Sequence, residues 1–356
     1  MLSNKISAGR FFEDFVLNEV IQHATPRTIT AGDAALYIGL YGGRNPLHCA
    51  TPFAEALGFR TTPIDDMLAF HIAFGKTVPD ISVNAVANLG YADVRFIQPV
   101  FVGDTLTTSS KVIGQKQNSN GKSGVIWVRS TSVNQHQIPV LSWVRWVMVH
   151  KNKVDAPAPQ PVIPSLPSFV KPEHLNNYAN VIGNGFNYAA TSGQFGWHDY
   201  AIGERLNHPA SILINDSDHA IATRLYQNNA RLHFNKLSNS QIAGGEGKAL
   251  VYGGVVISLC RALSYEGLEN AVSMLAINAG THVSPVFAGD TIHTYTEVLD
   301  KLPLSNNAHF GALRLRMVGI KNVASHTVTQ LKTDAGYHPN VVLDIDYTVL
   351  MPYKGK

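Results

Sequence analysis

The chain contains itself twice, and that duplication restricts its architecture more than any other feature. Superposing His48 on His233, 185 residues apart, also pairs Leu40 with Leu225, Tyr41 with Tyr226 and Leu47 with Leu232. The same offset aligns Asp14, Leu17 and Glu19 with Asp199, Ile202 and Glu204, and then Ile29, Asp33 and Ala35 with Ile214, Asp218 and Ala220. Further on, PVFVGDT at 99–105 recurs as PVFAGDT at 285–291, six identities in seven with the offset grown to 186. A nearly constant offset across separated motifs marks a tandem duplication, so one fold is expected twice.

Between the copies, the stretch from Lys151 to Pro172 carries prolines at 157, 159, 161, 164, 167 and 172. Proline at that density forbids helix and favours an extended connector. The expected organisation is a first repeat at 1–150, a linker at 151–190 and a second repeat at 191–356. With 356 residues, 45% hydrophobic and 15% charged, each half has enough apolar material for a core, which excludes a disordered chain. The formal net charge of +3 comes without a Lys/Arg run, so no nucleic-acid partner is expected, while an anionic ligand is compatible with it. No apolar run approaches the roughly eighteen residues of a bilayer span, and the first residues lack the apolar region of a signal peptide. The expectation is a cytoplasmic protein without membrane contact. Cys49 and Cys260 form no CxxC arrangement and are expected to be free, buried thiols.

Each half has the same order of elements. An early strand (Val20 to His23; Arg205 to Pro209) precedes a short helix starting near Thr30 or Asn215, where the side chain can cap and Asp33 or Asp218 lies in the first turn. A helix apolar on nearly every face follows, Asp65 to Phe74 in the first half and Gly254 to Leu263 in the second, which predicts burial on all sides. Alternating β-branched strands come next: Asp93 to Phe96, Thr105 to Ile113, Val125 to Asn134 and Val140 to His150, then Thr291 to Leu299, Gly311 to Lys321 and Val341 to Met351. One buried helix and an antiparallel meander, twice over, is an α+β plan.

The chemistry-bearing residues cluster at Ala222 to Asn235, ATRLYQNNARLHFN. His233 titrates near neutrality when unperturbed and can move a proton; alone it would read as a core histidine, but its repeat mate and polar neighbours favour a role. Asn228 cannot titrate, so it is a candidate for holding a water or a carbonyl, the alternative being a turn residue. Arg224 and Arg231 are candidates for pairing a ligand carboxylate or phosphate, or for holding their own segment to the neighbouring half. Gly253 and Gly254 at a helix start bare N–H groups toward an oxyanion, unless they merely make a tight turn. Asp65 and Asp66 at the matching helix start read as caps, His71 as a core residue, and Asp104 and Asp290 as strand-entry turns. GGEGKA at 244–249 lacks the spacing of a phosphate loop, and the histidines show no HxxxH or HxH pair, so no metal is expected.

Tyr37 to Ala50, with Gly42-Gly43-Arg44-Asn45-Pro46-Leu47-His48, resembles the hydratase-2 motif of MaoC-like enoyl-CoA hydratases, Gly-Asp-x-Asn-Pro-x-His. The resemblance implies a double hot dog, two curled antiparallel sheets each wrapping one long helix. It implies reversible addition of water to an α,β-unsaturated acyl-CoA, with no metal or redox cofactor and coenzyme A as part of the substrate. FFEDF, HATPRTIT, FHIAFGKTVPDIS, ATRLYQN, RLHFN and VLDIDYTVLMP are similar to the branch acting on branched C5 dicarboxylyl-CoA thioesters such as mesaconyl-CoA.

In the family an Asp and a His activate the water and a backbone N–H polarises the thioester. Carried over, the histidine falls on His48 or His233, while the Asp position holds Gly43 in one half and Asn228 in the other. The second half is therefore the expected site: Asn228 holds water, His233 exchanges the proton, Gly253 and Gly254 form the oxyanion hole, and Arg224 and Arg231 bind the extra carboxylate. Asp65 or Asp66, reaching across the pseudo-twofold, and His48 are candidate support. By analogy the resemblance also implies a homodimer. The rivals are an (R)-specific hydratase of straight-chain enoyl-CoA, a hot-dog thioesterase and a non-catalytic acyl-CoA-binding protein.

Overall fold

The computed structural model describes residues 5, 7–175, 185–239, 242, 244–305 and 307–353. Four longer helices recur in pairs: α1, Ala31–Tyr41; α2, Asp66–Gly75; α3, Asp216–Leu225; and α4, Gly253–Leu263. Thr30 and Asp33 form a capping box that starts α1, Asp33 N donating to Thr30 Oγ1 at 3.2 Å and Thr30 N donating to Asp33 Oδ2 at 2.8 Å. Gly42, in the left-handed region at φ 66°, ends it. The second copy departs here, because Asn215 spends its amide on Asp218 at 2.9 Å and caps no backbone group of α3.

The strands are β1, Val20–Gln22; β2, Ala85–Phe96; β3, Thr105–Gln117; β4, Ser123–Val133; β5, Pro139–His150; and then β6, Arg205–Asn207; β7, Met274–His282; β8, Thr291–Pro303; β9, Phe310–Lys321; and β10, Val341–Pro352. They form one antiparallel sheet in the order β1-β3-β4-β5-β2-β7-β10-β9-β8-β6. Two short strands, Arg27–Thr28 and Ile212–Leu213, add to β3 and β8 and bring the sheet to twelve. The order reads the same from either edge. Its centre is the β2–β7 pair, with Ala92 opposite Ala279 and Val94 opposite Ile277, so both halves share one continuous sheet. The strand-entry turns are twins: Gly103 and Gly289 both sit at φ 95°, and Asp104 and Asp290 accept from Phe101 N and Phe287 N.

Two sequence expectations need correction. β7 is absent from the strands expected above, because MLAINAGTH offers alanines, an asparagine and a glycine in place of strand-forming residues. Its place at the sheet centre, rather than its propensity, makes it a strand. Cys49 is exposed, although Cys260 is buried, and both are free.

The core lies between the curled sheet and the central helices. Every residue of α2 from Met67 to Gly75 is buried, as are Gly254 to Cys260 of α4, and both helices belong to one continuous cluster. Burying Leu68, Phe70, Ile72 and Phe74 contributes roughly 1.5–3 kcal/mol each. The repeat mates Tyr41 and Tyr226 meet hydroxyl to hydroxyl at 2.7 Å, which puts the pseudo-twofold axis through that contact. From 151 to 171 the connector has no helix; it pairs Val162 with Gln115 of β3, and Val170 N donates to Asn278 of β7.

Candidate active site

The duplication creates two equivalent places where a motif histidine meets the N-terminus of a central helix. In both, the polypeptide ahead of the helix is fixed by the same backbone bond, Ile64 N to Val100 O and Val251 N to Val286 O, each 2.9 Å. In both, the histidine hangs on the preceding carbonyl: His48 Nδ1 lies 3.3 Å from Pro63 O, and His233 Nδ1 lies 2.9 Å from Leu250 O. A carbonyl only accepts, so Nδ1 carries the proton in each neutral ring and Nε2 is left as the base.

The two places differ in what stands at the helix start. α2 begins with Asp65, whose side chain accepts from Met67 N at 2.8 Å, and Asp66, whose Oδ2 accepts from Met274 N at 2.8 Å. Asp66 Oδ2 lies 3.9 Å from His48 Nε2, and burial raises this carboxyl to about 6, the nearby His48 opposing the shift. Arg261 and Tyr265 complete the wall, and the space left is about 40 Å³. α4 begins with Gly253, which has no side chain to fill the equivalent corner. There the cavity reaches about 330 Å³, within the range of small-molecule pockets.

His233, Asn228 and Gly253 all line this larger cavity. Burial pushes the His233 imidazolium down to about 4, with the Leu250 carbonyl opposing, so the ring is neutral and in its basic form at neutral pH. Tyr252 packs edge-on against it at 5.4 Å. Asn228 is buried and its Oδ1 accepts from Ala230 N at 3.0 Å, an Asx turn that fixes the side chain and leaves the amide N–H groups for a water oxygen. Its turn role and its position in the cavity are thus compatible. Gly253 and Gly254 open α4, whose first N–H groups have no acceptor within the helix. Each glycine is also required by packing, because a Cβ on Gly253 would overlap the His282 ring and one on Gly254 would overlap Tyr252 and His71.

The structure does not gather all the candidates. Asp65, Asp66 and His48 belong to the smaller cavity of the first half and do not reach across to His233. Arg224 and Arg231 are exposed and line neither cavity. Arg224 falls on the outer side of α3 and Arg231 opens a short 3-10 turn, so each points away from the core side occupied by Leu225 and His233. His71 is a core residue, its Nε2 3.1 Å from Ser258 Oγ.

In their stead, three residues not anticipated as functional line the large cavity. Tyr91 Oη and His282 Nε2 lie 3.0 Å apart opposite Gly253, and Arg145 closes another wall. Arg145 was legible in principle, since it falls on the inward phase of β5 with Trp143, Val147 and Val149. His282 was hidden with β7.

Fold and site together define a double hot-dog protein with a large cavity lined by His233 and the N-terminus of α4, and a much smaller counterpart across the pseudo-twofold. The family model for the MaoC like domain matches residues 14–134. The chain is 50% identical to a beta-methylmalyl-CoA dehydratase of Chloroflexus aurantiacus, over 99% of this chain and 100% of that protein. It is 47% identical to a mesaconyl-CoA hydratase of Cereibacter sphaeroides, over 98% and 99% of the two chains. The chain therefore belongs to the MaoC-like dehydratase family. A solved MaoC domain protein from Chloroflexus aurantiacus superposes with a TM-score of 0.94 at 49% identity, covering 99% and 100% of the two chains. A Mycobacterium tuberculosis protein described as a double hotdog fold superposes at 0.73 with 22% identity, over 96% and 98%, and bears on the fold alone.

Proposed function

We propose that this chain is a hydro-lyase that reversibly adds water to an α,β-unsaturated acyl-CoA, with mesaconyl-CoA and β-methylmalyl-CoA as its substrate pair. The substrate assignment rests on the near-full-length identity to the two relatives bearing those names. The reaction rests on one observation, the convergence of the His233 base and the α4 N-terminus in a single cavity.

In the hydration direction, the amide of Asn228 donates to the water oxygen while His233 Nε2 accepts a water proton. The oxygen bonds to the β-carbon as the double bond shifts toward the thioester, and the N–H groups that open α4 take the negative charge growing on its oxygen. The imidazolium then returns the proton to the α-carbon, so water is added and nothing else is consumed. Side chains and backbone carry every step, no further cofactor is assigned, and a cytoplasmic homodimer is the proposed state. Among the described residues no helix is long and apolar enough to cross a membrane.

The test is the loss of conjugated enoyl-thioester absorbance on mixing the protein with mesaconyl-CoA, run beside crotonyl-CoA with free thiol monitored. Rapid loss with mesaconyl-CoA and no thiol is expected. Thiol release would make the protein a thioesterase, preference for crotonyl-CoA a straight-chain hydratase, and binding without turnover a carrier.

A further inference from the structure

Arg145 is the most deeply buried arginine in the protein, with no exposed surface, and it lines the cavity that holds His233. Several partly buried arginines have carboxylate partners: Arg27 pairs with Asp33, Arg95 and Arg129 share Asp93, and Arg314 pairs with Asp346, while Arg205 donates to the backbone carbonyls of Ser325 and Val328. Arg145 instead donates to two hydroxyls, Thr77 Oγ1 at 2.8 Å and Ser82 Oγ at 3.4 Å, and lies over the Phe74 ring at 4.2 Å. Among the described residues its Nε–H finds no acceptor. A buried cation held by neutral groups is costly unless an anion arrives to share the site.

Two further polar groups of the same cavity are in the same condition. Tyr252 Oη and the side-chain amide of Asn88 are buried and, among the described residues, have no protein partner. Orphaned buried donors are rare in folded proteins, and three on one cavity point to a polar ligand. We propose that Arg145 is the specificity-determining residue of this cavity, taking the distal carboxylate of a dicarboxylyl thioester through Nε–H, with Tyr252 and Asn88 completing the donor set. This rests on the hydratase reading of the same cavity and gives it a physical basis for choosing a dicarboxylyl over a monocarboxylyl substrate. A guanidinium with an unused Nε–H suits a carboxylate oxygen, and the buried setting strengthens the pair while disfavouring an uncharged methyl end beside the cation.

Binding of two saturated, unreactive thioesters by calorimetry tests it on the full chain. Succinyl-CoA carries a terminal carboxylate where butyryl-CoA carries a methyl group. The wild type is expected to bind succinyl-CoA more tightly by about 10²-fold, Arg145→Met to lose that preference and Arg145→Lys to recover part of it. Equal affinities in the wild type, or an undiminished preference in a folded Arg145→Met protein, would overturn the assignment. Should Arg145→Met fail to fold, the wild-type ratio decides, with Tyr252→Phe expected to reduce the preference several-fold without a change of shape. A protein that prefers succinyl-CoA yet hydrates neither mesaconyl-CoA nor crotonyl-CoA would sink the hydratase reading and leave Arg145 in its role. One that hydrates both alike and shows no carboxylate preference would do the reverse.

Discussion

His48 and His233 share their place in the repeat and their anchor on a backbone carbonyl, yet a single neighbour separates their prospects. Asp66 sets a carboxylate at the positive end of α2, where an incoming oxyanion would have to sit, and Gly253 leaves the end of α4 bare. Replacing His233 with alanine is expected to lower turnover by about 10²–10⁴-fold with the circular dichroism spectrum preserved, as for loss of a general base. His48→Ala is expected to cost far less, and the reverse order would move the site to the first half. The arginines teach a different lesson at this scale. Arg224 and Arg231 lie near His233 in sequence, but both are exposed to solvent. Arg145 lies 88 residues from His233 in the chain, and only the alternation of β5 hinted that it faced inward.

At the level of elements, the central helices were readable because their apolar residues cover every face, which only a helix enclosed by sheet satisfies. Their starts are less alike. Asp65 caps α2 through Met67 N, whereas α4 has no side-chain cap. Asp65→Ala is therefore expected to cost about 1 kcal/mol of stability, read as a lowered urea midpoint with an unchanged slope. An unshifted midpoint would mean that the burial of α2 alone defines its first turn. β7 marks the limit of local reading, since its residues form a strand through partners on both sides, β2 and β10. Its loss from the sequence reading also hid His282 and the shared sheet.

For the whole molecule, the histidines enclosed with the core govern the response to acid. Burial lowers His71 to about 3 and His208, His233 and His282 to about 4, all below the ordinary value of 6.5. Between pH 6.5 and about 4 the unfolded chain binds protons that the folded protein refuses, so stability falls as the pH falls. Asp66 works in the opposite sense: raised from 3.8 to about 6, it holds a proton in the folded protein that the unfolded chain has lost, and acidification through that window favours folding. Four groups outweigh one, and the urea midpoint is expected to drop between pH 7 and pH 4.5. A flat or rising midpoint would contradict the burial of these rings.

The sequence by itself determined the duplication, the extended connector, the buried helices and His233 as the repeat mate of His48, because each is a matter of local pattern or of likeness between the halves. Tertiary structure alone decided which copy of the site is roomy and which charge faces it. Those outcomes depend on side chains brought together from segments far apart in the chain. Asp66 meets β7 in one copy, while Gly253 meets His282 and leaves room beside Arg145 in the other, and no spacing along the chain encodes which side chain fills a corner that two distant segments share.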